Sequence, residues 1–506
     1  MNELKVAAGG EDEMDEFTRT WLEKPGDERV LFEMGLAHQM RANLPQSVLC
    51  YEMALCIAPT MGEALANQAA ALKELGYFEL ALQRLHLANQ NRPQDPVLIN
   101  NLGAVLVCLG RQQEALDCYS KALAISPSYE EALINKGFAQ SELMHIEAAI
   151  ETYREVLALN PSSLQAQFNL SLLMLLLGHQ EQGWTLYESR LRLPKNANSY
   201  PWLSSELAIW SGLESIKDRV LWVHAEQGLG DTLQFCREAL SLIELGAEVV
   251  LSVPQALLKV VRTMAQALPE FLECGRFSVI CEDSLVVHAD YQIALMSVPL
   301  ALMRHRKVTS FIPRGVPYLF SEEVKRREFE RVLGLKTALR VALVWSGGHR
   351  AELPSSWALN DRRNISLNAL GELRALNVEW FSLQMGSNAQ SELATFNDHA
   401  SFLGVRDLSP WIEDFSDTAA LASLMDLVIT VDTSVAHLVG ALGKPVWILH
   451  RFDVCWRWST EGSSTLWYPS AKLFRQSVAG DWSLVAQEVY EALEKWSSHE
   501  ACTLTA

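Results

Sequence analysis

Nowhere in its 506 residues does this sequence hold an apolar run long enough to cross a bilayer; the most apolar stretch, Leu170 to Leu177, is far too short. No membrane span is therefore expected. The nine cysteines are odd in number and form no CxxC pair, which argues against a disulfide framework and fits free thiols in a reducing compartment. No HExxH or similar histidine spacing occurs, so no metal site is expected. Cations are scarce: 42 Lys and Arg stand against 61 Asp and Glu, a net charge of −19, which disfavours nucleic acid as a partner. The opening Met1 to Glu16 is acidic rather than basic and then apolar, so no secretory signal is read and a cytoplasmic location is expected.

What the chain has is a repeat. Pro25, Pro59, Pro93, Pro127 and Pro161 fall 34 residues apart, the period of a tetratricopeptide array. In step with them come small residues (Gly35, Gly103 and Gly137, then Ala81, Ala115 and Ala149) and bulky ones (Tyr51, Tyr119, Tyr153 and Tyr187). Each unit reads as a helical hairpin ended by its proline, burying its apolar face only by stacking on its neighbours. About five units are expected over 28–195, after an acidic segment 1–27 and before a linker 196–217 whose signal is the helix-poor stretch LPKNANSYPWL at 193–203. A ladder of Asn67, Asn101, Asn135 and Asn169 repeats an amide at one helical position. No packing rule requires it, and it points to a partner.

From residue 218 short apolar runs alternate with amphipathic stretches, the pattern of parallel α/β layers. The expected strand Val220 to Val223 leads into Glu226-Gln227-Gly228-Leu229-Gly230-Asp231, where two glycines let amides face an anion at a helix start. Leu233 stands where a dinucleotide fingerprint needs its third glycine, so that fingerprint is not met. A second series starts at Val341 to Trp345, turns through Ser346-Gly347-Gly348, and continues with a helix marked by Leu367 to Leu376 and a strand Trp380 to Leu383. The clearest unit is strand Leu427 to Val431, turn Asp432-Thr433-Ser434, a helix from Val435, and strand Val446 to Leu449. Thr433 and Ser434 stand where hydroxyls and free amides can hold phosphate oxygens against the helix dipole. Two such halves imply ligand binding in a cleft between α/β layers.

The stretches EQGLGDTLQF, VWSG, DRRNIS, FSLQ, DFSDTAAL and DLVITVDTSVAHLVGALGKPVWIL, with WRW, WYPS and FRQ beyond them, resemble bacterial tetratricopeptide-repeat glycosyltransferases, whose catalytic half is similar to family 9 heptosyltransferases and to O-GlcNAc transferase. The resemblance implies a GT-B fold: an acceptor-side Rossmann-like domain over 218–335 and a nucleotide-sugar domain over 336–500. It implies a metal-independent transfer from a nucleotide-sugar, a co-substrate rather than a bound cofactor, to Ser or Thr of a protein such as a flagellin held by the repeats. The sequence agrees with the absence of a metal-fixing motif, since no two aspartates are separated by one residue.

By the same resemblance, Gly347, Arg363, Gln384, Asp432, Thr433, Ser434 and His437 would contact the donor, Gly228 and Gly230 form the glycine turn, Asp231 serve as general base, and the four asparagines grip acceptor backbone. The residues leave other roles open. Asp231 equally suits a helix cap, His437 a buried histidine bonded to a carbonyl, the asparagines bonds to the neighbouring repeat, and either Arg362 or Arg363 could face the phosphates. Loops 349–360 and 450–455 are expected to border the donor cleft. A carbohydrate or lipid acceptor, or a non-catalytic repeat scaffold, are the alternative functions.

Overall fold

The computed structural model describes residues 26–194, 200–267, 275–283, 288–348, 353–398 and 404–504. The acidic segment 1–27 lies almost wholly outside them. The chain divides into two compact units, Met1–Ala166 with His349–Asp361, and Gln167–Gly348 with Arg362–Ala506.

The first unit is a stack of helical hairpins, from Glu28–Met40 paired with Leu44–Ile57 to Glu130–Glu142 paired with Ile146–Leu159. The proline period sets the hairpin ends. Each residue before Pro59, Pro93, Pro127 and Pro161 is the helix C-cap, with φ between −122 and −137°. The proline ring denies that residue the α region, so the helix cannot continue. Glycines and tyrosines pair across each hairpin: a Cβ placed on Gly35, Gly103 or Gly137 would lie 2.6, 2.5 or 2.7 Å from the ring of Tyr51, Tyr119 or Tyr153. The second hairpin, which has Ala69 at the glycine position, carries the smaller Leu85 at the tyrosine position, and both are buried in one core cluster.

The segment 353–361 differs from expectation. It belongs to the repeat unit, where Trp357 meets Phe78 edge-on at 5.9 Å between ring centroids and lies against Gly76. Burying an indole on the second hairpin outweighs leaving it in a polar loop, so these residues border the repeats rather than a donor cleft. Residues 349–352 are outside the described set.

The fifth hairpin, Leu164–Leu176 and Gln180–Tyr187, lies in the second unit from Gln167 on, and its Leu175, Trp184 and Tyr187 join the core of the α/β region. Two parallel sheets follow. The first, in spatial order β3-β2-β1-β4, comprises β1 Val220–His224, β2 Glu248–Val253, β3 Phe277–Cys281 and β4 Tyr291–Ala294. The second comprises β5 Arg340–Val344, β6 Glu379–Ser382, β7 Arg406–Asp407, β8 Leu427–Val431, β9 Val446–His450 and β10 Ala471–Arg475, in spatial order β10-β9-β8-β5-β6-β7. Every residue of β5, β8 and β9 is buried, as central strands covered on both faces must be. Counted from β5, the second sheet runs 3-2-1-4-5-6, the doubly wound order whose switch point lies between the first and fourth strands. Here those strands are β5 and β8, which pair directly.

Candidate functional site

The carboxyl ends of β5 and β8 deliver the turns singled out in the sequence. Past β5, the amides of Trp345 and Ser346 both donate to Gln384 Oε1, at 3.0 and 2.9 Å, while Gln384 Nε2 donates to the Met385 carbonyl at 3.0 Å. Gln384 is thus a buried strut that fixes the turn, with both ends of its amide engaged on the main chain. The Gly347 amide donates to Asn364 Oδ1 at 2.8 Å, and a Cβ on Gly347 would fall 2.1 Å from Arg363 Nη2. Any side chain at Gly347 would therefore have to displace the guanidinium. The two arginines are separated by this geometry: Arg363 rests on the β5 turn, whereas Arg362 bonds Asp453 at 3.1 Å.

Past β8, Thr433 is the N-cap of the helix Ser434–Ala441, with no side-chain cap bond. Thr430 Oγ1 donates to the Val431 carbonyl at 2.8 Å, so the 3.0 Å contact between the Thr430 and Thr433 hydroxyls takes its proton from Thr433. What Thr433 leaves for a ligand is its lone pairs; the positive end of the site is the first-turn amides. One turn further, His437 is buried, with Nδ1 3.0 Å from the Tyr468 hydroxyl and its ring stacked on Trp458 at 5.3 Å. Burial pushes His437 down to about 3, with Asp432 opposing, so the imidazole is neutral at ordinary pH and bonded to a phenol rather than to a carbonyl.

The turn after β1 faces this one. Gly228 caps the helix Leu229–Phe235, and Gly230 lies in its first turn, where a Cβ would sit 3.0 Å from His437 Cδ2 and 3.5 Å from Ser434 Cα. The two turns therefore abut, with no side chain on the Gly230 side. Asp231 caps the helix start from its first turn, its Oδ2 accepting from the Gly228 amide at 2.8 Å. Its other oxygen pairs with Arg457, which also donates to Gln234 Oε1 at 2.8 Å and bonds Cys455 Sγ at 3.2 Å. The capping role is thus seen, and it leaves Oδ1 for Arg457.

Two buried arginines hold these pieces. Arg190, just past the fifth hairpin, takes both carboxylate oxygens of Glu226, at 3.0 and 2.5 Å, and Ser297 Oγ at 2.9 Å. Arg237 donates to the carbonyls of Arg314 and Trp467 and to the Tyr318 hydroxyl, each at 2.9 Å, with its guanidinium 4.9 Å from the Tyr468 ring. Neither residue was a sequence candidate, nor was Arg457, although the WRW stretch that carries Arg457 was noted. An isolated arginine carries no spacing signal.

Of the asparagine ladder, Asn67, Asn101 and Asn135 are half-buried in the first unit, and Asn169 falls in the second. Asn135 Nδ2 donates to Asn100 Oδ1 of the preceding repeat at 3.0 Å, and Asn67 bonds the Tyr51 side chain. Asn101 makes no side-chain hydrogen bond among the described residues. Inter-repeat bonding therefore accounts for two of the rungs. Among the described residues no group of three or more His, Cys, Asp or Glu could hold a metal ion, and no helix is long and apolar enough to cross a membrane.

Comparison with known proteins agrees with the first part of this architecture. Residues 103–143 match the TPR repeat family and residues 130–163 the tetratricopeptide repeat family. The chain is 28% identical over 486 residues to Protein FlbA of Caulobacter vibrioides, covering 90% of this chain and 77% of FlbA. It is 31% identical over 104 residues to human tetratricopeptide repeat protein 7B, covering 21% of this chain and 12% of that protein. Among solved structures, YrrB, a TPR protein with an unusual peptide-binding site, matches at 16% identity and a TM-score of 0.30, over 36% of this chain and 94% of its own. The chain carries an N-terminal tetratricopeptide-repeat solenoid and a C-terminal parallel-sheet α/β region, and the similarity to FlbA spans 90% of it.

Proposed function

We propose that the α/β region is a GT-B glycosyltransferase that moves a sugar from a nucleotide-sugar, without a metal, to a Ser or Thr of a protein acceptor engaged by the repeats. The observation that supports this reading is the abutment of two strand-end turns at Gly230 and Ser434, which brings the start of the helix after β8 against the helix turn that carries Asp231. The first-turn amides at Ser434 and the Arg363 guanidinium on Gly347 would take the diphosphate, supplying the positive charge that a metal supplies elsewhere. In the transfer, the acceptor oxygen bonds the anomeric carbon as the carbon–phosphate oxygen bond breaks and the nucleotide leaves. The hydroxyl proton passes to Asp231 Oδ1 once Arg457 turns from it toward the departing phosphate.

A second reading, a non-catalytic repeat scaffold, is favoured by the engagement of both Asp231 oxygens, with Gly228 and with Arg457. Intact-mass analysis of a flagellin co-expressed with this chain separates the two. The transferase reading expects a sugar-sized increment that disappears with Gly347→Ala, since the added methyl displaces Arg363. An unmodified acceptor, together with calorimetry showing no nucleotide-sugar binding by the native chain, would establish the scaffold.

A further inference from the structure

A cavity of about 370 Å³ opens beside the Asp231–Arg457 pair, in the size range of ligand pockets. Four rings wall it: Trp184 of the fifth hairpin, Phe311, Trp456 and Trp467. They form one cluster with Phe235, the last residue of the helix that bears Asp231: Phe235 lies 5.9 Å from Trp184, 6.4 Å from Trp456 and 5.3 Å from Trp467 between centroids. Arg457 is itself part of the lining, so an occupant would sit one side chain away from the carboxylate.

We infer that this cavity receives an apolar side chain of the acceptor polypeptide, next to the hydroxyl residue presented to Asp231, and so sets which hydroxyls are modified. This rests on the transferase reading for the identity of the polypeptide, though not for the chemistry of the occupant. Several polar groups of the wall are already engaged. Gln180 Oε1 accepts from the Phe311 amide at 2.5 Å, Ser459 Oγ donates to the Trp458 carbonyl at 2.5 Å, Thr465 Oγ1 accepts from the Trp467 amide at 3.2 Å, and Arg457 is held by Asp231 and Gln234. With most of the wall ring or aliphatic surface, an aliphatic or aromatic side chain is matched over its whole length, whereas a sugar ring would have to strip several hydroxyls of water to enter.

The fifth hairpin supplies Leu175, Leu176, Gly178, Gln180 and Trp184, while Gly347, Arg363, Thr433 and Ser434 line none of it. The residues that would hold the diphosphate thus lie outside the cavity, whose wall is shared by the fifth hairpin, Phe311 and Pro313, and the segment 456–467. A rigid aromatic pocket filled by one apolar anchor is how a few residues come to dominate a protein interface.

The test is saturation-transfer NMR on the full chain, with the blocked peptides Ac-Gly-Ser-Leu-Gly-NH2 and Ac-Gly-Ser-Gly-Gly-NH2 and with methyl β-glucopyranoside as probes. Transfer to the leucine methyls is expected, with at least fivefold less to the glycine peptide or the glucoside. Ser464→Trp, an exposed lining residue whose new ring fills the mouth, should reduce the leucine signal at least fivefold with the melting temperature unchanged. Leu466→Asp, also exposed, should do the same if Ser464→Trp fails to fold. Equal leucine signal in the folded variants, a stronger glucoside signal, or no peptide signal at all would overturn the assignment. Because no donor is present, failure of the transferase reading leaves this result standing, and the converse also holds.

Discussion

Asp231 and Arg457 form an ion pair across the site, one from the helix after β1 and the other from the loop after β9, with side chains 19% and 11% exposed. Arg457 also bonds Gln234 of the same helix, so the pair is half of a two-point grip. A pair this shielded holds more strongly than a surface one, because water screens it less. It fixes the carboxylate against the capping geometry and leaves a single rearrangement, departure of Arg457, between the resting state and an accessible Oδ1.

Asp231→Asn should therefore retain the fold, since the amide oxygen can still accept from the Gly228 amide, but lose the proton acceptor. Turnover is expected to fall about 10²- to 10⁴-fold, the usual range for a positioned base, with nucleotide-sugar affinity kept. Single-turnover kinetics beside calorimetry make the comparison. Near-native turnover would leave Asp231 a helix cap only.

The glycine–tyrosine pairs give a test confined to the repeats. Gly103→Ala puts a methyl 2.5 Å from the Tyr119 ring and should destabilise by about 1–3 kcal/mol, the usual range for overpacking. Tyr119→Leu should destabilise too, by leaving a void. The double variant reproduces the Ala69 and Leu85 combination of the second hairpin and should be more stable than the sum of the single effects allows. Urea unfolding of all four proteins measures the coupling; strict additivity would refute the pairing.

The repeats were legible in the sequence because their determinants are local and periodic: the proline fixes the residue before it, and small residues recur where two helices approach closely; that each tyrosine packs on the glycine of its own hairpin shows only in the structure. Strand β8, with no charge in Leu427–Val431, came out with the bounds the sequence gives it, and β5 and β9 within one residue. Leu233, Cys236, Leu240 and Ile243 mark one helix face in the sequence, but the structure has two short helices, Leu229–Phe235 and Glu238–Glu244, parted near Arg237, whose guanidinium turns inward to oxygens of Gln234, Arg314, Trp467 and Tyr318. The function of Gln384 as a strut and the grip of Arg457 were illegible for a common reason. Each depends on a partner brought up by the fold from tens to hundreds of residues away, which no spacing encodes. Trp357 misled for the same reason: an indole in a polar loop says that it will be covered, but not by what.

Three buried histidines give the α/β region a pH dependence of definite sign. Burial pushes His224 down to about 4 and His437 to about 3, and holds His450 well below its ordinary value. In the unfolded chain each titrates near 6.5, so below that the unfolded state binds more protons. Stability is complete above pH 6.5 and is lost as pH falls toward the depressed values, at up to about 1.4 kcal/mol per pH unit for each histidine. Between pH 6.5 and 5 few ordinary carboxylates titrate, which isolates the effect. His450→Phe should flatten the fall in urea midpoint over that interval, and an unchanged slope would show that His450 charges within the fold.

The asparagine ladder can now be tested rung by rung. Asn135→Ala removes the donor that satisfies Asn100 Oδ1, a fully buried side chain whose own amide reaches Glu131 at 3.3 Å. A buried acceptor left unpaired costs about 1–3 kcal/mol, so this variant should melt earlier whatever the ladder binds. Asn101 has no such structural partner among the described residues, and Asn101→Ala should leave the melting temperature within about a degree. If the ladder grips acceptor backbone, each amide offering a donor and an acceptor to a main chain of any sequence, Asn101→Ala should weaken acceptor modification severalfold while donor hydrolysis is unaffected. Measuring intact acceptor mass and melting temperature for the two variants side by side separates binding from stacking. Full modification by Asn101→Ala, with loss only in Asn135→Ala, would assign the ladder to the stability of the stack.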